Sequence, residues 1–124
     1  FMYGYNGPNN DINSKHIGSH AAGTCIIQIC GEKEPKYTLF AMQKCIEIIE
    51  KKKPFNPYFL YYGSVCTYYA GATHYKKWCE TMIPIVTNKQ SASGEIHDKL
   101  STAWCVLSLS LPYRYIPVYQ HEEK

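Results

Sequence analysis

The stretch Asn56 to Trp78, NPYFLYYGSVCTYYAGATHYKKW, constrains the fold more than any other part of the chain. Pro57 suits the first turn of a helix, where its missing N–H would have no partner anyway, and Asn56 before it is a natural N-cap. Tyr58, Tyr61, Tyr62, Val65, Tyr68, Tyr69 and Ala72 then recur every three or four residues. That spacing predicts a helix with a broad aromatic stripe, and Gly63, Ser64 and Ala70 leave room for a neighbour. Gly71 is the expected stop, and a left-handed backbone is expected there. Beyond it, Tyr75, Trp78, Cys79, Met82, Ile83 and Val86 form an apolar stripe opposed by Lys76, Lys77, Glu80 and Lys89, which predicts a wetter second helix. The stretch is a helix hairpin.

Length and composition set the limits around it. A chain of 124 residues holds one domain at most, and its twelve Tyr favour a packed core over disorder. The apolar runs are too short to span a bilayer. The chain opens Phe1-Met2 and carries no signal-peptide pattern, which reads as a processed or partial chain. Its net charge of +3 is mild. Lys51 to Lys53 fall where a helix should end, so they complement its dipole and predict no nucleic-acid patch. Six cysteines, Cys25, Cys30, Cys45, Cys66, Cys79 and Cys105, contain no CxxC pair and fall at core-like helical positions. They read as buried thiols, with oxidation of some as the alternative in an exposed parent protein.

In chain order, residues 1–18 form an N-terminal segment whose Gly, Asn, Pro and Tyr give it loop composition. From about Ser19 to Cys30 the run SHAAGTCIIQIC predicts a first helix, ended by Gly31. A second should start near Pro35 and stop before Pro54, with Leu39, Phe40, Met42, Ile46 and Ile49 inward and Lys44, Glu47, Glu50 and Lys51 outward. The hairpin supplies helices three and four, and Pro84 should kink or split the fourth. After the turn Gln90 to Asp98, KLSTAWCVLSLSL predicts a fifth helix. Pro112 and Pro117 break the C-terminal stretch into short turns, and 120–124 is a charged tail.

These helices repeat. AGTCIIQICG at Ala22–Gly31 and YGSVCTYYAG at Tyr62–Gly71 align glycine to glycine about forty residues apart, with STAWCVLSL one step further on. The fold class is therefore all-α, helix-hairpin repeats of about two and a half units over 19–119. Helices one, three and five should be inner, and two and four outer.

The sequence AAGTCIIQICGE, the stretch PYFLYYGSVCTYYAGATHYKKWCETMIPIV and the terminal STAWCVLSLSLPYRYIPVY resemble the C-terminal repeats of the squalene-cyclase/prenyltransferase superfamily. The nearest likeness is to bacterial proteins described as prenyltransferase or squalene-oxidase repeat proteins. The resemblance implies an arc of an α/α toroid. Such proteins carry QW turns, in which a Gln satisfies a helix end and a Trp stacks on it. Gln90, Gly94 and Ile96 look like a degenerate form, with Ile at the Trp position acting as a hydrophobic plug.

The resemblance also says what chemistry to look for. The cyclases protonate an alkene with an Asp-rich motif, and protein prenyltransferases hold zinc through Asp, Cys and His. Neither set is legible, because the acids Asp11, Glu32, Glu34, Glu47, Glu50, Glu80, Glu95, Asp98, Glu122 and Glu123 fall in loops, at helix ends or on outer helices. His16 and His20 have the i, i+4 spacing of a metal pair but no third ligand, so they read as a polar helix start. No catalytic residue, metal or cofactor is expected. Tyr61, Tyr62, Tyr68, Tyr69 and Trp104 are the ligand-lining candidates, set against plain core packing. A toroid needs about six hairpins to close, so helices one and five should leave apolar edges that the rest of a longer chain, partner proteins or further copies cover. The expected function is a non-catalytic binding or scaffold module with room for a hydrophobic ligand. The alternatives are a piece of an isoprenoid cyclase or prenyltransferase-like enzyme, and a structural assembly subunit.

Overall fold

A computed structural model describes residues 2–4, 7–9, 16–31 and 35–113. Five α-helices carry the fold: α1 (Ile17–Ile29), α2 (Pro35–Lys52), α3 (Pro57–Ala70), α4 (Ala72–Thr87) and α5 (Lys99–Ser110), followed by the 3₁₀ turn Leu111–Tyr113. The expected all-α class is correct. One departure lies at the start, where β1 (Met2–Gly4) and β2 (Gly7–Asn9) pair antiparallel, Met2 opposite Asn9. The Gly and Asn that read as loop also suit a hairpin turn. Pro117 and the tail 120–124 lie outside the described residues.

α3 touches every other helix, with α1 and α5 on its two sides, while α2 and α4 touch each other and α3. The first, third and fifth helices thus form one row and the second and fourth a second layer. The start of α3 follows from local chemistry. Asn56 Oδ1 accepts from the Phe59 amide at 3.1 Å, and Pro57 opens the helix. At α5 the same work falls to Asp98, whose carboxylate accepts from the Ser101 amide at 2.7 Å and is held below its usual pKa by that bond.

The centre of the core is a contact between α3 and α4. A Cβ built on Gly63 would lie 2.1 Å from the Trp78 ring, so glycine is there to let the indole lie on the backbone of α3. Trp78 is fully buried, and its Nε1–H donates to Ser64 Oγ at 2.9 Å. Ser64 in turn donates to the Leu60 carbonyl at 2.7 Å, and the Phe59 ring meets the indole edge-on at 5.4 Å. Every polar atom of that pairing is thus satisfied inside the core. Met82 and Val86 extend the same face of α4.

The inward stripe of α2 is Thr38, Ala41, Met42, Cys45, Ile46, Ile48 and Ile49. Leu39 and Phe40, expected inward, are instead 42% and 52% exposed, because the neighbours of α2 cover its other face at that end. Ile83 on α4 is likewise exposed at 43%. Pro84 does not split α4, which runs on to Thr87; the proline sits one turn from the helix end, where few hydrogen bonds remain to be lost. Lys77 of α4 and Glu50 of α2 make a 3.4 Å ion pair between two exposed side chains, which adds little stability.

His20 is not part of a polar helix start. It is fully buried, and its Nε2 lies 2.9 Å from the Ala41 carbonyl, joining α1 to α2. Burial holds its pKa below the ordinary 6.5, against the pull of the Ala41 bond. The unfolded chain then binds the proton more readily, so this contribution to stability is complete above pH 6.5 and falls as pH drops toward the lowered folded value. Urea midpoints measured between about pH 7 and about pH 5 should decline in the wild type, and His20→Gln should flatten that decline. An identical slope in the variant would assign the acid sensitivity to other groups.

Candidate functional site

The aromatic candidates divide into two groups. Tyr61, Tyr62 and Trp104 come together with Tyr58. Trp104 lies 5.0 Å from Tyr61, 5.6 Å from Tyr58 and 6.2 Å from Tyr62, and Tyr58 and Tyr62 are 4.8 Å apart. These centroid distances are those of rings packed on one another at the α3–α5 contact. The cluster fills its own space.

Tyr68 belongs elsewhere. With Tyr69, Tyr75, Cys79 and Ile83 it lines a cleft of about 800 Å³ where α3 passes into α4, with Lys76, Glu80 and Pro84 also on its wall. The Tyr68 and Tyr75 rings meet edge-on at 5.5 Å, and the Tyr75 hydroxyl lies 3.5 Å from the Ser108 carbonyl of α5. Volume and apolar lining both suit a small hydrophobic molecule. The sequence points to Tyr68 but not to the cleft, because Gly71 rather than any side chain opens it. Its φ of +125° and ψ of 168° lie in extended backbone of positive φ, not in the left-handed helical region expected, and a Cβ there would meet nothing within 4 Å. Gly31, its counterpart one repeat earlier, has φ +70°.

The degenerate QW turn keeps two of its parts. Gln90 and Ile96 pair as an antiparallel bridge, and Gln90 Nε2 donates to the Gly94 carbonyl at 3.2 Å, so the amide closes its own turn and leaves the helix end alone. Gly94 adopts φ +90°. Ile96 is buried in the main core, and its amide donates to Thr102 Oγ1 at 2.9 Å, which ties the turn to the start of α5. The isoleucine is a plug in the expected sense.

Nothing in these places makes a nucleophile. The cysteines are free thiols. Cys25, Cys45, Cys66 and Cys105 are buried, Cys79 is half-buried, and Cys30, expected in the core, is exposed just past the end of α1. Burial pushes the Cys25 thiol up to about 12, and a hydrogen bond with Cys45 together with burial raises Cys66. Burial likewise raises the Cys79 thiol and the Tyr62, Tyr69 and Tyr75 phenols. Thiols held neutral in this way are inert. The described acids, Glu47, Glu50, Glu80, Glu95 and Asp98, are exposed or partly exposed, so none has the burial that would raise a carboxyl pKa toward neutrality. Among the described residues no group of three His, Cys, Asp or Glu could hold a metal, and no helix is long and apolar enough to cross a membrane.

Comparison with protein-family models, curated proteins and solved structures finds no match to this chain.

Proposed function

We propose that this chain is a non-catalytic α/α repeat domain of the squalene-cyclase/prenyltransferase type, an arc of a toroid, working as a binding or scaffold module. The observation that carries the proposal is the ring cluster of Tyr58, Tyr61, Tyr62 and Trp104. Packed on itself, it occupies the place where an isoprenoid enzyme would need open space, and the described carboxylates are exposed rather than buried. The open row supports the same reading. α5 ends it with Leu100, Val106, Leu109 and Tyr113 at 69%, 56%, 36% and 69% exposure, apolar surface of the kind that interaction sites present.

The cleft of Tyr68, Tyr69 and Tyr75 favours a second reading, in which the chain is one piece of an enzyme on a hydrophobic isoprenoid and its catalytic acid lies outside it. Incubation with squalene and with a prenyl diphosphate, followed by product analysis, separates the two. No chain-dependent product is expected. A cyclised or transferred product made by this chain alone would overturn the non-catalytic proposal.

A further inference from the structure

α5 is packed in an unusual sense. Its small residues Ser101, Cys105 and Ser108 are the buried ones, while Leu100, Val106 and Leu109 face outward. From Leu100 to Tyr113 the chain carries no charged residue. An exposed helix without a charge over that length is a surface built to be covered, since the buried centres of interfaces are where charge is depleted. The same helix already accepts a helix on its other side, where α3 lies against it.

We infer that this face pairs with the same face of a second copy, α5 against α5 antiparallel about a two-fold axis through Val106. The lack of charge favours a copy over an unrelated partner. In a two-fold contact each residue near the axis meets itself, so a charge there would meet its own like, whereas unrelated partners are commonly selected by complementary charge. The register is self-complementary as well. Centred on Val106, antiparallel pairing sets Ala103 opposite Leu109, small against large, and Leu100 opposite Pro112. It also sets Lys99, the first charge outside the run, opposite Tyr113, whose exposed ring can take an ammonium on its face. A single helix pair falls at the low end of stable interface areas, so the dimer is one of micromolar rather than nanomolar strength.

The inference rests on the reading of the chain as an interaction module, and its test is independent of the product assay. Sedimentation of the whole chain up to about 100 μM should show a monomer–dimer equilibrium. Val106→Glu, an exposed change that sets two carboxylates on the axis, should leave a monomer with unchanged circular dichroism. In a Cys30→Ser background, Val106→Cys should join to itself under mild oxidation and Leu100→Cys should not, because only position 106 lies on the axis. A wild type that stays monomeric throughout that range, or a dimer indifferent to Val106→Glu, overturns the pairing and leaves the non-catalytic reading standing. Crosslinking at position 100 in preference to 106 overturns the register.

Discussion

Gly63→Ala should lose stability even though alanine is the better helix former. Moving from glycine to alanine inside a helix is worth about 1 kcal/mol in favour of the variant. Against this stands a Cβ placed 2.1 Å from the Trp78 ring, where something must move. The indole is fully buried, edge-on to Phe59 and bonded through Nε1 to Ser64, so it yields only by giving up that hydrogen bond or by prising α4 from α3. Overpacking of this kind costs about 1–3 kcal/mol and occasionally more, and the lost bond in a buried site adds about 1 kcal/mol. The net loss should be about 2 kcal/mol for alanine and larger for Gly63→Val. Urea midpoints give the number. A double variant with Trp78→Phe should lose less than the sum of the two changes, because the smaller ring leaves room for the methyl group. Full additivity would show that the two residues do not share that space.

Gly71→Ala should also cost about 2 kcal/mol, but for a reason that leaves a different signature. The backbone at Gly71, φ +125° and ψ 168°, lies in a region used almost only by glycine, and holding another residue there costs about 1–3 kcal/mol. No atom lies within 4 Å of the built Cβ, so the strain belongs to the backbone alone. Gly71→Val should therefore cost little more than Gly71→Ala, whereas at Gly63 the loss should climb steeply with side-chain volume. Lys76→Ala, on the exposed face of α4 just beyond, should shift stability by less than about 0.5 kcal/mol. A lysine change that costs as much as the glycine change would mean that the turn is not where α3 and α4 are held.

The features legible in the sequence are those that rest on near neighbours in the chain. Asn56 and Pro57 announce the start of α3 because capping is a matter of three or four residues, and Gly31 and Gly71 announce helix ends because each must take a backbone that other residues avoid. The plug at Ile96 is legible as a hydrophobic residue in a polar turn. Leu39, Phe40 and Ile83 are not where their spacing puts them, because periodicity marks the apolar side of a helix but not how far along it a neighbour reaches. His20 departs from expectation for a related reason: its partner, the Ala41 carbonyl, is a main-chain atom on another helix and leaves no trace in residue type. Gly63 reads as room for a neighbouring helix, which is correct, but nothing local says that the occupant is Trp78. The remaining signal is thermodynamic, a glycine retained in the middle of a helix at a cost of about 1 kcal/mol relative to alanine.

Because α3 touches all four other helices and they meet one another less, its backbone should be the slowest in the molecule to exchange amide hydrogens. Each neighbour can fray by itself, but α3 is released only when the whole assembly opens. α5, held on one side only, should exchange earliest of the five through partial openings that leave the rest intact. The domain would then open from that end inward, exposing Trp104 and its tyrosines before Trp78, so that two tryptophans in one small chain report two different stages of its unfolding.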